Sequence, residues 1–355
     1  MTTIDLEAHF YTQAAFEYLS RREQFPRFVK ENEADSYNLR FTDQVKLFQT
    51  TEFINILCDL GAKRIKAMDQ AGLDMQVLSF SSPGIDELDP DADFAGSYAV
   101  ELNDLVFDTI KRHPTRFMGF AAISPYNVVN GVKELERAIT KLGFVGWLAH
   151  SNFGEDKYLD NKIYLPLLEA AESLNIPIYL HPTTPLSKEY GKYGFALAGP
   201  PLGFQCDAAL CLLRMIYAGV FDQFPKLKII LGHMGEMLPF LIPERIDWAY
   251  VNPQISVVPG FIKERPQIKK TPSQIIQENI YITTSGRFSN HLLEYALKVM
   301  GEDRIMLATD YPYENLQQSM DFIRGIGLPD KVFQKICSGN AERLGIKQRL
   351  VGSIS

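Results

Sequence analysis

Short apolar runs rich in β-branched residues recur along the chain, and most are followed, after a turn, by a segment whose apolar positions repeat every three or four residues. Such alternation marks βα units feeding a parallel sheet. Eight runs stand out, at 3–6, 75–80, 116–123, 143–149, 176–180, 227–231, 279–283 and 304–308. Several are nearly continuous in apolar character, as in Ile176-Pro-Ile-Tyr-Leu180, which is what strands covered on both faces require. Helical periodicity occupies 92–112, 132–141, 164–174, 207–220, 290–300 and 329–344, and Pro114 and Pro225 each end a helix just before a strand. Eight such strands close a barrel. The expected fold is therefore α/β, a (β/α)8 TIM barrel forming one domain over residues 1–355.

Three stretches exceed ordinary connections: 10–64 after the first strand, 183–205 after the fifth, and 251–272 after the sixth helix. They are rich in Phe, Tyr, Pro or charge, and are expected to form lids over the barrel mouth or contacts between subunits.

Composition narrows the partners. The chain is 46% hydrophobic and 22% charged, with a net charge of −7 and no dense Lys/Arg face, so nucleic acid and anionic membranes are not expected partners. A small molecule is. No run of ~18 apolar residues occurs, and Met1-Thr-Thr-Ile-Asp5 opens with neither a basic segment nor an apolar stretch, which leads us to expect a cytoplasmic protein. Cys58, Cys206, Cys211 and Cys337 are scattered, without zinc-site spacing or disulfide density, and are expected to be buried thiols.

In a barrel of this kind the reactive groups sit where strands end. Here the strand ends are polar: Glu7-Ala-His9, His150, His181-Pro182, Gly232-His233, Thr284-Ser285 and Thr309-Asp310. Four of the six histidines fall among them. Side chains two apart on a strand share a face, so Glu7 and His9 can converge on one ion, with Asp5 expected on the same face. His181 and Asp310 complete a set of two imidazoles and two carboxylates suited to one divalent ion, with coordination positions left for water or substrate. The second carboxylate favours Mn2+ over Zn2+, and Mg2+ also fits. A lone strand-end histidine is more often a hydrogen-bonded structural residue than a ligand; it is the joint placement that points to a metal. His233, with Glu236 three residues on, is either a neighbour of a helix cap or an acid/base group. Thr283-Thr-Ser285-Gly-Arg287 is not a nucleophile elbow, so Ser285 is expected to hydrogen-bond rather than attack. His150, Ser285 and the aromatic Tyr193 and Phe195 of the 183–205 insertion are candidate substrate contacts. The glycines of that insertion form no G-x-G-x-x-G, which leaves nucleotide binding without support.

These residues carry a resemblance. Ile4-Asp-Leu-Glu7-Ala-His9 is similar to the D-x-H-x-H opening of the metal-dependent amidohydrolase superfamily, with Glu7 in place of the first histidine. The likeness continues through Leu180-His181-Pro182, Gly219-Val-Phe-Asp-Gln-Phe-Pro225, Ile230-Leu-Gly-His233-Met-Gly-Glu236-Met-Leu-Pro239, Asn279-Ile-Tyr-Ile-Thr-Thr-Ser-Gly286 and Ala308-Thr-Asp310-Tyr-Pro-Tyr-Glu314-Asn315. The set resembles the aminocarboxymuconate-semialdehyde decarboxylase-like branch and, within it, the aromatic acid decarboxylases of the γ-resorcylate and 2,3-dihydroxybenzoate type. The resemblance implies Glu7, His9, His181 and Asp310 as metal ligands, with His233 and Glu236 orienting Asp310. It implies reversible non-oxidative decarboxylation of a hydroxylated aromatic acid whose carboxylate and ortho hydroxyl chelate the ion, Asp310 protonating the ring carbon. A role in aromatic catabolism and a homodimer or homotetramer are implied as well. Leu202, where tryptophan is expected, and the unusual Trp147 and His150 are departures that bear on the substrate. The rival expectations are a lactonase or amidohydrolase using the same ion, and a hydratase. A binuclear site is disfavoured because no lysine closes the fourth strand to carry a carbamate.

Overall fold

Eight parallel strands are hydrogen-bonded in chain order: β1 (Ile4–Phe10), β2 (Met75–Phe80), β3 (Phe117–Ala122), β4 (Gly146–His150), β5 (Pro177–His181), β6 (Lys228–Leu231), β7 (Ile280–Thr283) and β8 (Ile305–Met306). The computed structural model describes residues 2–31, 35–88, 92–243, 245–251 and 265–347. The last strand returns to the first: Leu6 N–H donates to Leu307 O at 3.1 Å, His9 N–H donates to Tyr311 O at 2.7 Å, and Ala8 bridges Tyr311. The expected barrel is therefore the observed one, with each expected run supplying a strand. Its interior is filled by Ile4, Leu6, Val77, Met118, Phe120, Leu148, Tyr179, Ile230 and Met306, so it is a packed core and not a pore.

The helices follow the periodicity closely. Ala92–Arg112 and Asn290–Met300 match the expected bounds. The helix expected at 132–141 begins earlier, at Val128, because the Asn127 side chain accepts from Asn130 N–H and caps it. The helix expected over 329–344 is interrupted: Asp330–Gln334 and Asn340–Arg343 flank one π-turn at Lys335–Gly339. Among the described residues no helix is long and apolar enough to cross a membrane.

Two of the three long stretches have structure of their own. Within 10–64, a helix (Gln13–Arg21) precedes a three-stranded antiparallel sheet of Arg27–Lys30, Tyr37–Arg40 and Lys46–Gln49. Within 183–205, Lys188–Tyr193 forms tight turns and Phe195–Ala198 a single helical turn. Most of 251–272 lies outside the described residues.

One irregularity in β1 matters for the site. Pairing with β2 runs Asp5 to Gln76 and then Ala8 to Leu78, so one extra residue is inserted between them. A bulge of this kind reverses the inward and outward alternation. Leu6 and Glu7 both face inward as a result, and Asp5 does not share the face of Glu7 and His9 as its spacing suggested. Asp5 instead accepts from Gln76 Nε2 (3.1 Å), Thr309 N (2.9 Å) and Thr309 Oγ1 (2.6 Å), tying β1 to the strands on either side. Burial raises its pKa to about 6 against those hydrogen bonds.

Candidate metal centre

Glu7, His9, His181 and Asp310 each place one ligand atom within 4.8 Å of all the others. Glu7 Oε1 lies 3.7 Å from His9 Nε2 and 3.4 Å from His181 Nε2, and His9 Nε2 lies 3.3 Å from Asp310 Oδ1. These are separations between atoms that share a partner rather than bond each other. Glu7 Oε1 and His9 Nε2 are buried without any hydrogen bond, an arrangement that costs free energy unless an occupant satisfies it. A divalent cation satisfies both at once, so the residues present fit a metal.

The opposite edge of each ligand is anchored. His181 Nδ1 donates to Pro182 O at 2.8 Å, and His9 Nδ1 lies 3.1 Å from Ser79 Oγ. Both leave Nε2 directed at the centre, as ligating imidazoles usually are. Tyr179 OH donates to Glu7 Oε2 and lies 3.1 Å from Thr283 Oγ1, which in turn lies 3.1 Å from Ser285 Oγ. Ser285 Oγ accepts from His233 N–H at 2.9 Å, so its place is behind the site rather than against a ligand. Gly232 admits this packing, since a Cβ there would stand 3.2 Å from both Glu7 carboxylate oxygens and from Tyr179 OH.

His233 faces the cluster from β6. Its Nε2 lies 3.5 Å from Asp310 Oδ2 and 3.7 Å from Glu7 Oε1, and its Nδ1 is held 2.7 Å from Glu236 Oε1. The backbone here is held in the left-handed region, with φ of +50° at His233, +60° at Met234, +56° at Glu236 and +61° at Asp310. Non-glycine residues tolerate such angles only where the surroundings enforce them, and they gather at functional sites.

The charges are interdependent. Burial opposes ionisation of Asp310, yet the facing His233 and His9 hold its carboxyl well below the usual carboxylate range. Burial likewise opposes protonation of His9, but Asp310 and Glu7 raise it to about 9; His233 is pushed well up, against burial, by Glu236, Glu7 and Asp310. His181 is driven well below the ordinary imidazole value by burial and by the other three imidazoles around it. Protons thus balance the carboxylates among the protein groups alone, and a bound cation takes their place on the ligands.

The cluster opens into a cavity of about 460 Å³, lined on its apolar side by Phe41 and Leu47 from the first insertion and by Phe195, Pro200, Pro201 and Phe204 from the second. Both insertions therefore build the mouth. Its polar lining comprises His181, His233, Glu236 and Asp310 together with Ser81, Ser82, Gln205, Arg287 and Glu314. Of the candidate substrate contacts, Phe195 lines this cavity, whereas Tyr193 is 68% exposed and does not. His150 lies behind it, its Nδ1 2.7 Å from Asp86 Oδ1 and its ring centroid 5.3 Å from that of His181. Burial raises the pKa of Glu87 beside it, and His150 itself is raised, against burial, by Asp86 and Glu87. Tyr179, Ser79, Asp86, Glu87, Arg287 and Tyr313 were not singled out from the sequence. Tyr179 alone had a signal, standing two residues before His181 on the same strand face.

The family model described as amidohydrolase matches residues 55–344. The chain is 36% identical to γ-resorcylate decarboxylase of Polaromonas sp. (strain JS666) over 296 residues, covering 81% of this chain and 88% of the relative. Among solved structures, 5-carboxyvanillate decarboxylase from Sphingomonas paucimobilis superposes with a TM-score of 0.83 at 29% identity, covering 97% of this chain and 98% of that one. Dihydroxybenzoic acid decarboxylase from Polaromonas sp. JS666, with bound manganese and the inhibitor 2-nitroresorcinol, superposes with a TM-score of 0.81 at 32% identity, covering 97% and 96%.

Proposed function

The chain belongs to the amidohydrolase family, and on that premise we propose that it is a metal-dependent decarboxylase of hydroxylated aromatic acids in which Asp310 delivers the proton that replaces the departing carboxylate. The observation that carries this reading is the position of Asp310 between two partners: Oδ1 faces the ligand His9 at 3.3 Å, and Oδ2 faces His233 at 3.5 Å. Glu7, His9, His181 and Asp310 Oδ1 would hold the ion, and their two nitrogens and two oxygens suit manganese. When bound, the ion supplies Lewis acidity and fixes the substrate by its carboxylate and ortho hydroxyl.

The protein groups account for the proton. Decarboxylation of an aromatic ring is slow because the electron pair left behind occupies an sp2 orbital. Protonation of the carboxylate-bearing carbon first gives a cation-like ring; the C–C bond then breaks, its electron pair restores the ring, and CO2 leaves. Glu236 fixes His233 through Nδ1, so the His233 proton at Nε2 is aimed at Asp310 Oδ2. Oδ2 relays it to the ring carbon, and the apolar walls from Phe41, Leu47, Phe195 and Phe204 keep water from competing for it. The reaction runs backwards by the same path, so high bicarbonate with a phenol should give the acid.

Purified protein reconstituted with manganese and supplied anaerobically with a panel of hydroxybenzoates should release CO2 and the matching phenol. Ring opening of a lactone with no CO2 from any aromatic acid would overturn the reading in favour of a hydrolase.

A further inference from the structure

Among the described residues lining the cavity, Arg287 is the one arginine or lysine. It follows β7 directly, in Ser285-Gly286-Arg287, and Gly286 (φ +60°) lets this turn press against His233, since a Cβ there would come within 3.0 Å of His233 Cδ2. The guanidinium is half-buried and forms no hydrogen bond or ion pair with the described residues. Its nearest charge relations do not explain it. Glu236 is influenced by the Arg287 charge but forms no ion pair with it and is already bonded to His233 Nδ1 at 2.7 Å, while Glu314, on the same cavity wall, is not in an ion pair with it either. Arg287 lines both the main cavity and a side cleft of about 70 Å³ whose walls include Met234, Met237, Leu292 and Ala296 beside Gln205, His233 and Glu236. A guanidinium in such surroundings is stabilised most by a planar anion that accepts two of its N–H groups. The leaving carboxylate cannot be that anion, because it belongs at the metal.

We propose that Arg287 binds a second carboxylate on the substrate ring, making this chain selective for hydroxylated aromatic diacids from which one carboxylate leaves and the other stays. The inference rests on the decarboxylase reading above. With 4-hydroxyisophthalate, for example, the carboxylate ortho to the hydroxyl would leave as CO2, a proton would take its place, and 4-hydroxybenzoate would remain at Arg287.

Inert nitro compounds test this without turnover. In 2-nitrophenol, 4-hydroxy-3-nitrobenzoate and 3-hydroxy-4-nitrobenzoate the nitro group stands in for the leaving carboxylate, and only the last two carry a second one. Titrated calorimetrically into the manganese-loaded protein, at least one of the two benzoates should bind roughly 10- to 100-fold tighter than 2-nitrophenol, the range expected of a charge-assisted pair. In Arg287→Gln that preference should collapse to within about threefold, with part of it retained in Arg287→Lys, where the charge persists but the fork does not. The same ratio, read as kcat/KM for 4-hydroxyisophthalate over salicylate, should fall alongside. Equal affinity of the unaltered protein for all three nitro compounds overturns the proposal, as does Arg287→Gln weakening all three alike, which is what a purely structural arginine would do. Tight binding of 2-nitrophenol without a preference overturns this inference alone, whereas binding of none of the three overturns the decarboxylase reading with it.

Discussion

Two groups of buried carboxylates and imidazoles lie side by side at the barrel mouth, built from the same residue types, and they differ in what their polar atoms do. In Glu7, His9, His181 and Asp310, the inward atoms Glu7 Oε1 and His9 Nε2 have no hydrogen-bond partner and face a cavity. In Asp86, Glu87 and His150, every side-chain polar atom is engaged except His150 Nε2, which is buried without a hydrogen bond 3.7 Å from Glu87 Oε2. Asp86 accepts from His150 N (2.8 Å) and pairs with His150 Nδ1 (2.7 Å), while Glu87 accepts from Ser82 Oγ (2.9 Å), Gly84 N (2.6 Å) and Thr183 Oγ1. The layer continues through Ser151, which donates to Asp207 and accepts from Thr183 N–H at 3.1 Å. Both the quartet and the trio meet the distance requirement for holding an ion. What separates them is the carboxylates: both of those in the second group spend their oxygens on His150 and on the backbone and hydroxyls of neighbouring loops, so the group holds the mouth in shape, whereas the first leaves Glu7 Oε1 open beside His9 Nε2.

The sharpest way to break this comparison is to remove one member of each group and ask where metal is lost. His181→Ala should leave no more than about a tenth of an ion per chain and no turnover, because it deletes one of the two imidazole donors and puts nothing in its place, whereas the amide oxygen in Asp310→Asn can still coordinate. Asp310→Asn should keep most of the metal, yet slow decarboxylation by roughly 10²- to 10⁴-fold, the range typical of a lost proton donor. Metal analysis by atomic emission beside a CO2 assay separates the two; near-normal turnover by Asp310→Asn would remove Asp310 from the chemistry. On the other side, His150→Ala leaves Asp86 and Glu87 as buried charges without their cation, a loss of about 3–5 kcal/mol in stability. Urea unfolding should record that loss while metal per folded chain stays at the unaltered level. Should His150→Ala empty the metal site instead, the two groups are one functional unit.

A smaller effect probes the boundary between them. Tyr179 belongs to the inner barrel core and touches the metal group through Glu7 Oε2. Tyr179→Phe keeps the packing but frees that oxygen to turn, and manganese affinity should fall by roughly 10- to 100-fold, as when other outer partners of ligands are removed. Competition with a fluorescent chelator reads it directly. An unchanged affinity would mean that the bulge at Leu6 and Glu7 alone fixes the carboxylate.

How legible each group is in the sequence follows from the same contrast. Glu7, His9, His181, His233 and Asp310 stand at strand ends, and a barrel turns every strand end toward one mouth, so local pattern plus closure was enough to assemble them. The bulge that aims Glu7 was invisible, because a one-residue register shift depends on how β1 pairs with β2 and not on β1 itself. Asp86 and Glu87 lie in a single 3-10 turn (Ile85–Glu87) too short to show a periodicity, 64 and 63 positions from the histidine they hold, and only the packing of β2 beside β4 across β3 makes them neighbours. The cavity walls posed a similar difficulty. Leu47 lies on a small antiparallel sheet and Phe41 in the turn between two of its strands, none of which the sequence distinguishes from loop, and Tyr193, two residues from Phe195, turns outward.

The least perturbing test uses pH. Burial raises the carboxyl of Asp207 to about 6 from an ordinary 3.8, against hydrogen bonds from Ser151 and Asn152. A carboxyl raised in the folded state binds more protons folded than unfolded between those two values, so its contribution to stability is greatest at low pH, declines as pH rises through the window, and is level above about 6. Asp207→Asn removes that titration. On metal-free protein, the unfolding free energy of the unaltered chain relative to Asp207→Asn should therefore fall between pH ~4.5 and ~6 by at most about 1.4 kcal/mol per unit, and run parallel above it. The corresponding difference for a variant of the metal group would be erased by adding manganese, because ligation replaces the protons, whereas the Asp207 difference should persist with or without the ion. A manganese-sensitive Asp207 slope would show that the structural layer and the metal group exchange charge after all.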